Sequence, residues 1–170
     1  MLIIINNVEP FFKDNYKRIN VREYARIMKI SPPFASKTLK ELMKDGILNE
    51  ERDRNYIYYS ANRESRKFIS LSIIYWEEKL RESGLIEYLN KELINPVIIL
   101  FGSFAKSEVN ENSDMDVAIF SISKNKIELK KFENKLKRKI QIFQFRSLDD
   151  LKNKDLLKNI LNGIKIGGNW

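Results

Sequence analysis

The most constraining feature of the sequence is a continuous apolar run, VIILF at residues 97–101, that stops abruptly at Gly102 and Ser103. A short run without polar residues is typical of a strand that is buried on both faces of a sheet. The segments that follow read as a short helix, FAKSE, a polar loop, VNENS, and a second strand, DMDVAIF. This half of the chain therefore predicts a strand, a turn, a short helix, a loop and a strand, in that order.

The second of these strands carries two carboxylates. A period of two places Asp114 and Asp116 on one face and apolar residues on the opposite, buried face. Carboxylates held this close make each other's ionisation more costly, and a divalent cation between them removes the conflict. Gly102 and Ser103 offer N–H groups and a hydroxyl that suit a phosphate. Together these are the parts that metal-assisted attack on a nucleoside triphosphate needs. The alternative is a polar turn with its acids on the solvent face.

Two missing residue types narrow the chemistry. The sequence contains no histidine and no cysteine. A Ser-His-Asp triad, histidine-ligated zinc, thiolate-zinc sites and disulfides are therefore excluded. Any metal must be held by oxygen ligands, which favours Mg²⁺ or Mn²⁺. The lack of cysteine also fits a reducing compartment.

The charge balance points to a polyanionic partner. The net charge is +8 and the sequence pI is about 9.5, which favours nucleic acid first. The alternative is that the abundance of Lys, Ile and Asn reflects biased codon usage. No apolar run approaches the ~20 residues of a membrane span, and the initial MLIII is too short for the core of a signal peptide. We expect a cytoplasmic protein with no membrane partner.

The first half of the chain has the pattern of two short helices separated by a break. Asn20 followed by Glu23 has the form of a capping box that opens the first helix. Ser31 can cap the second helix, which starts with Pro32, a position where proline loses no hydrogen bond. Gly46 ends that helix. The pattern predicts a helix-turn-helix.

The segment ILNEERDRNYIYYS that follows reads as a strand, a polar turn at RDRN and a second strand. Roughly residues 5 to 62 resemble the winged helix-turn-helix family of transcription regulators, with this hairpin as the wing. The resemblance implies that the second helix enters the major groove of double-stranded DNA and that arginines at the wing tip contact phosphates or a minor groove. The alternatives are a solvated basic face or a protein-docking module. The residues implied in DNA contact are Ser36, Lys37, Lys40, Lys44, Arg52 and Arg54.

Residues 63–94 read as connecting helices. The apolar stripe of this segment is wider than a lone solvent-facing helix needs, which suggests packing against a second domain, a partner subunit or both. Regulators of the winged-helix type often dimerise through such a helix, so a homodimer is expected. Gly84 breaks or bends the helix, and Asn95-Pro96 ends the connection. The domain boundary is predicted between about residues 85 and 95.

The second half also carries a resemblance. Gly102-Ser103 followed by Asp114-x-Asp116 resembles the signature of the minimal nucleotidyltransferases of the DNA polymerase β superfamily. This resemblance implies that Asp114 and Asp116 are catalytic residues that ligand Mg²⁺, and that Gly102 and Ser103 hold the β- and γ-phosphates of a nucleoside triphosphate. The reaction it implies is transfer of a nucleoside monophosphate to a hydroxyl, with release of pyrophosphate.

One departure from that family weakens the implied activity. Members normally carry a third carboxylate on the strand after the next helix, where it ligands the catalytic metal and activates the hydroxyl. In RKIQIFQF this degenerate third position is Gln141, which offers one carbonyl oxygen but cannot accept a proton. Ser107, where many members have glycine, is a milder departure.

The sequence as a whole predicts an α+β chain of three parts: a winged helix-turn-helix at 1–62, connecting helices at 63–94, and a small nucleotidyltransferase-like α/β domain with a mixed sheet at 95–170. The function expected is a DNA-binding transcription regulator whose second domain binds a Mg-nucleotide, with catalysis weak or lost. One alternative is an active transferase that moves a nucleoside monophosphate to a protein or nucleic-acid hydroxyl. Another is an antitoxin-like protein-interaction module.

Overall fold

The structure, a computed structural model, describes residues 2–123 and 125–170 of the chain. Met1 and Lys124, which fall within the first and last predicted domains, lie outside the described residues. Among the residues that are described, no helix combines the length and the apolar character needed to cross a membrane.

Contacts within the chain group its residues into two units. The first unit ends at Tyr75 and also takes in Ser107–Glu111, whereas the second contains Trp76–Lys106 and Asn112–Trp170. The division after Tyr75 falls inside the predicted connecting segment and ahead of the predicted boundary. It lies within a helix, where the sequence carries no break.

The first unit combines helices with a small antiparallel sheet. Its elements are α1 (Leu2–Lys13), β1 (Ile19–Asn20), α2 (Val21–Met28), α3 (Pro32–Lys44), β2 (Leu48–Asp53) and β3 (Tyr56–Ala61). The strands lie in the order β1-β3-β2, and β3 pairs antiparallel with both neighbours. Helix α1 has no counterpart in the sequence prediction, whereas α2, α3 and the hairpin do.

The two helices that the sequence predicted start at their predicted caps. The side-chain oxygen of Asn20 accepts the N–H of Glu23 at 3.0 Å, and the hydroxyl of Ser31 accepts the N–H of Phe34 at 3.4 Å. After α3 the chain turns at Gly46, whose φ of 70° lies in the left-handed region that favours glycine. The helix starts and the turn predicted from these residues are confirmed.

The hairpin turn is tighter than the sequence predicted. Strand β2 continues through Arg52 and Asp53, which pair with the start of β3. Only Arg54 and Asn55 lie outside the two strands, and Arg54 has a φ of 54°. The prediction of a four-residue turn at RDRN is therefore wrong, because backbone pairing extends through exposed polar residues that carry no hydrophobic alternation.

A buried asparagine holds Ser107–Glu111 in the first unit. Asn15 is 1% exposed; its N–H donates to the carbonyl of Val109 at 2.8 Å, and its side-chain oxygen accepts the N–H of Val109 at 2.6 Å. The side-chain amide donates to the carbonyl of Phe11 at 2.7 Å. Nearby Ser107 is buried with a φ of 56°, which is the conformational reason for the glycine expected there.

The second unit contains a mixed sheet flanked by helices. Helix α4 (Arg66–Ser83) contains the division after Tyr75. The remaining elements are α5 (Leu85–Glu92), β4 (Val97–Phe101), α6 (Ser103–Lys106), β5 (Met115–Phe120), α7 (Lys130–Leu136), β6 (Ile140–Phe145), a 3₁₀ turn (Leu148–Asp150), α8 (Lys154–Leu161) and β7 (Ile164–Gly167). The strand order is β6-β5-β4-β7, in which β5 and β6 run parallel and the other neighbours run antiparallel. Helices and a mixed sheet confirm the predicted α+β character.

Helices α4 and α5 are separated at Gly84, as the sequence predicted. Gly84 has a φ of 82°, and the hydroxyl of Ser83 donates to the carbonyl of Leu80 at 2.7 Å while it accepts the N–H of Leu85 at 3.2 Å. A helix cannot continue through a left-handed residue, so the chain starts a new helix there.

The central strand β4 is buried along its whole length, which confirms the prediction from the apolar run. One side of the sheet packs a cluster that includes residues of β4, β5 and α8. Ala118 and Phe120, which lie on the same face of β5 as Asp116, belong to this cluster. The face that carries Asp116 is therefore polar only at the start of β5, and it is covered by apolar side chains further along the strand.

Candidate functional site

The candidate site lies where three neighbouring strands meet. In the antiparallel β4–β5 pair Phe101 lies opposite Asp116, and in the parallel β5–β6 pair Asp116 lies opposite Gln141. Paired residues in register project their side chains to the same face of a sheet. Asp116 and Gln141 are therefore neighbours on one face, and Gly102 follows Phe101 at the end of β4.

Gly102 lets the carboxylate of Asp116 approach the backbone. Gly102 has a φ of 71°, and a Cβ built on it would collide with Oδ2 of Asp116. Ser103 then begins the short helix α6, in which the N–H of Lys106 donates to the carbonyl of Gly102 at 3.3 Å. Position 102 thus requires glycine for its conformation and for the space that Asp116 occupies.

The two aspartates differ in their surroundings. Asp114 is exposed and lies just before β5, outside the strand that was predicted to contain it, whereas Asp116 is partly buried within β5. Burial raises the pKa of Asp116 above its usual value, and the negative charge of Asp114 raises it further. Ionisation of both aspartates is therefore unfavourable in the absence of a cation, and a bound cation would make it favourable.

The oxygen ligands at this place suit a hard divalent cation. Asp114 and Asp116 supply carboxylates, and Gln141 supplies an amide oxygen on the neighbouring strand. Within residues 2–123 and 125–170, no group of three or more His, Cys, Asp and Glu residues is placed to hold a metal. Mg²⁺ keeps several water ligands and is often bound through one or two carboxylates, so this smaller set fits it.

A cation beside the candidate site was missed by the sequence analysis. The guanidinium of Arg138 lies 5.7 Å from the ring centroid of Trp76 and 5.9 Å from that of Phe104, the residue after Ser103. The two rings contact each other edge to face at 4.7 Å. These residues are far apart in sequence, and no local pattern signals that they meet.

The candidate DNA-contacting residues all belong to the first unit. Four lie on α3 and two on the hairpin β2–β3, and all of them are exposed except the partly buried Ser36. Arg52 lies within strand β2, so only Arg54 is in the hairpin turn as predicted. Lys37 lies 4.0 Å from Glu41, and both of these side chains are largely exposed. The residues are Ser36, Lys37, Lys40, Lys44, Arg52 and Arg54.

Two further features of this surface were not predicted. Phe34, in the first turn of α3, is 54% exposed although its side chain is large and apolar. Glu51 and Asp53 of the hairpin lie 3.4 Å and 3.5 Å from Arg18, the residue before β1, so part of the hairpin surface is acidic and paired. The position of Phe34, immediately after the helix cap and two prolines, is the sequence signal that could have identified it.

Comparison with known protein families identifies the second half of the chain. Residues 84–167 match the family described as Polymerase beta, Nucleotidyltransferase. The chain therefore contains a nucleotidyltransferase-fold domain, as its motif predicted, although the match begins earlier than the predicted domain. A comparison with curated proteins found no match.

The raised pKa of Asp116 makes a prediction about stability. Between the ordinary aspartate pKa of about 3.9 and the raised value in the fold, the folded state keeps a proton that the unfolded chain has lost. The stability of the metal-free protein therefore falls as the pH rises through this window. At pH 7 without divalent cations we expect Asp116→Asn to increase the free energy of unfolding measured by urea denaturation, and we expect this gain to disappear below about pH 4.

The control for this measurement is Asp149→Asn, which neutralises an exposed aspartate beyond β6. It should leave the pH dependence of unfolding unchanged. A gain from Asp116→Asn that is the same at pH 3 and pH 7 would show that the carboxylate is not destabilised by its surroundings.

Proposed function

We propose that this chain, which contains a nucleotidyltransferase-fold domain, is a DNA-binding transcription regulator whose second unit binds a Mg-nucleotide with little turnover. The observation that carries the nucleotide part is the approach of the Asp116 carboxylate to Gly102, beside Asp114 and within the matched region. A partly buried carboxylate with a like-charged neighbour is costly in the absence of a cation, so its presence here supports a binding role.

The metal-binding part of the proposal assigns the cation to Asp114 and Asp116, with Mg²⁺ or Mn²⁺ as the ion. When bound, such an ion neutralises charge on phosphate oxygens. The aspartates supply the negative charge that holds it, and partial burial of Asp116 strengthens that attraction. Gln141 completes the oxygen set without adding charge.

The phosphate-binding part assigns the nucleotide to Gly102 and Ser103. Gly102 and Ser103 supply backbone N–H groups at the end of β4, and Ser103 also supplies a hydroxyl. Arg138, whose guanidinium lies against the rings of Trp76 and Phe104, adds positive charge near α6. These groups bind and orient a triphosphate, whereas none of them removes a proton from an incoming hydroxyl.

Gln141 is the reason for proposing little turnover. It pairs with Asp116 in the register of β5 and β6. The minimal nucleotidyltransferases that this domain resembles carry a third carboxylate at this position. A neutral amide cannot act as a general base, and this loss costs roughly two to four orders of magnitude in rate. The second candidate function, an active transferase, is favoured by the retained pair of aspartates next to Gly102.

The DNA-binding part of the proposal rests on the first unit. Two short helices, α2 and α3, are followed by the hairpin β2–β3, which is the order of a winged helix-turn-helix. Helix α3 buries one apolar side and exposes its lysines, which supports an approach to phosphates and bases. A homodimer through α4 belongs to the same proposal and is supported by Ile74, which is 41% exposed on that helix.

The nucleotide site is tested by a matched pair of glycine substitutions. Gly102 and Gly46 both have a positive φ, but only at Gly102 would a Cβ collide with a carboxylate. Both alanine variants should lose roughly 1 kcal/mol of stability from backbone strain. Only Gly102→Ala should also displace Asp116, and it should weaken Mg-ATP binding in calorimetry by about tenfold or more.

Asp114→Ala and Asp116→Ala should abolish the same binding signal, and Asp149→Ala should leave it unchanged. If the wild-type protein binds none of the four Mg-nucleoside triphosphates, the nucleotide part of the proposal is wrong. Equal loss from Gly46→Ala and Gly102→Ala would mean that strain, rather than the position of Asp116, determines the affinity.

The turnover proposal predicts a gain of function. Gln141→Glu places a carboxylate where the amide lies, so the release of labelled pyrophosphate in the presence of Mg-ATP and an acceptor should rise by about tenfold or more. Gln144→Glu is the control, because it adds the same charge to β6 at a different position. The side-chain amide of Gln144 donates a hydrogen bond to the carbonyl of Ser123. The second candidate, an active transferase, would be established by rapid transfer in the wild-type protein. Asp114→Ala would then abolish this transfer, and Gln141→Glu would not increase it.

The DNA-reading role of α3 predicts a weaker affinity when its lysines are removed. Lys37→Ala with Lys40→Ala should weaken binding to duplexes that the wild-type protein selects from a random pool, and should lower the salt slope of the affinity by about 1 for each phosphate that the variant no longer neutralises. The control, Lys154→Ala with Lys158→Ala, removes the same charge from α8. Unchanged affinity of the α3 variant would show that this helix does not bind the duplex.

Arg52→Ala and Arg54→Ala should give similar losses of affinity if helix and hairpin both bind the duplex.

A further inference from the structure

The positive charge of the chain is concentrated in a segment whose lysines the proposed function does not use. Residues 126–139, KIELKKFENKLKRK, are named here the α7 basic segment. They contain seven of the 31 Lys and Arg residues of the chain and two of its 23 Asp and Glu residues. Their net charge is +5, compared with +8 for the whole chain.

The lysines of this segment are exposed and have no carboxylate partner in the described part of the chain. None of them lies within ion-pair distance of a carboxylate in the part of the chain that the structure describes, whereas Lys37 on α3 lies near Glu41. Of the two acids in the segment, Glu133 accepts the N–H of Ile140 at 3.0 Å and is thereby directed to the backbone. The six lysines are Lys126, Lys130, Lys131, Lys135, Lys137 and Lys139.

Two of these lysines are held in place by neutral partners. The ammonium of Lys135 donates to the carbonyl of Ser83 at 3.0 Å, and that of Lys131 lies 4.6 Å from the ring centroid of Tyr88. Neither partner carries a negative charge, and both contacts reduce the conformational freedom of the lysine side chains. A partner that binds here has less side-chain entropy to overcome.

The segment lacks the exposed apolar and aromatic side chains with which proteins bind other polyanions, such as membranes and single-stranded nucleic acid. Phe132 is buried, and Ile127, Leu129 and Leu136 are only partly exposed. A membrane-binding helix inserts exposed apolar side chains, and a single-strand binder stacks bases on exposed aromatic rings. The segment offers lysine charges alone, which suit the phosphates of a duplex and carry no sequence information.

We propose that the α7 basic segment is a second DNA-binding surface, located on the nucleotidyltransferase-fold domain, that contacts the phosphate backbone of double-stranded DNA without sequence preference. The choice of DNA rests on the proposed function, because α3 is assigned to the same polymer. The surface ends beside the candidate site, since the carbonyl of Lys139 accepts the N–H of Met115, between the two aspartates, at 2.9 Å. DNA held there adds affinity that does not depend on the operator sequence.

The test compares two triple variants of the full chain. Lys126→Gln, Lys130→Gln and Lys139→Gln remove three exposed lysines from the segment, and Lys152→Gln, Lys154→Gln and Lys158→Gln remove three exposed lysines near and on α8. The probe is a labelled random-sequence DNA duplex, and its affinity is measured as a function of salt. We expect the first triple to lower the affinity at least about tenfold and to lower the salt slope by about 2 to 3, and we expect little change from the second.

Three results would overturn the proposal. The first is an equal loss of affinity from both triples, which would reflect net charge alone. The second is no loss from the α7 triple. The third is a loss that is larger for duplex RNA, single-stranded DNA or phosphatidylserine vesicles than for duplex DNA. Thermal unfolding of each variant shows whether the fold is retained.

A parallel measurement on Lys37→Ala with Lys40→Ala separates this proposal from the DNA-reading role of α3. If α3 is not a reader, that variant binds the random duplex as the wild type does, while the α7 triple still loses affinity. If only the α3 variant loses affinity, the second surface does not exist and the first proposal stands.

Discussion

The candidate site depends on the register of three strands. Because β4 and β5 pair with Phe101 opposite Asp116, and β5 and β6 pair with Asp116 opposite Gln141, residues distant in sequence form one row across the sheet. A shift of one residue in either pair would turn the polar side chains to the other face. The register is stabilised by burial of the apolar residues further along the same face of β5, including Ala118 and Phe120. The apolar core therefore determines where the carboxylates lie.

The site combines unfavourable features that a stable core compensates. Asp116 is held near a second carboxylate and partly away from water, and Gly102 adopts a left-handed conformation so that the carboxylate can approach. Ser107 adopts a left-handed conformation without being glycine, in the segment that Asn15 binds. Strain and like charge of this kind concentrate at binding and catalytic sites.

Much of the local structure could be predicted because its causes are local. Asn20 and Ser31 cap helices with their own side chains, Gly84 interrupts a helix by its conformation, and the run VIILF forms a buried strand. Predictions were less accurate where pairing decides the outcome. The hairpin turn was predicted to start two residues too early, and Asp114 was assigned to a strand that begins at Met115. Backbone pairing determines where these strands begin and end, and exposed polar residues show no hydrophobic periodicity from which the ends could be predicted.

The sequence by itself determined that any metal ligands are oxygen atoms and that a pair of aspartates follows a Gly-Ser turn, because these follow from which residues are present and from their spacing. The resemblance to the nucleotidyltransferases added that Gln141 is a neutral residue where members of that family carry a third carboxylate. Only the tertiary structure decided that the Asp116 carboxylate occupies the space over Gly102, that Arg138 lies against Trp76 and Phe104, and that Asn15 binds Val109. These interactions join residues distant along the chain. Their geometry comes from packing and strand register, which no local pattern of residues encodes.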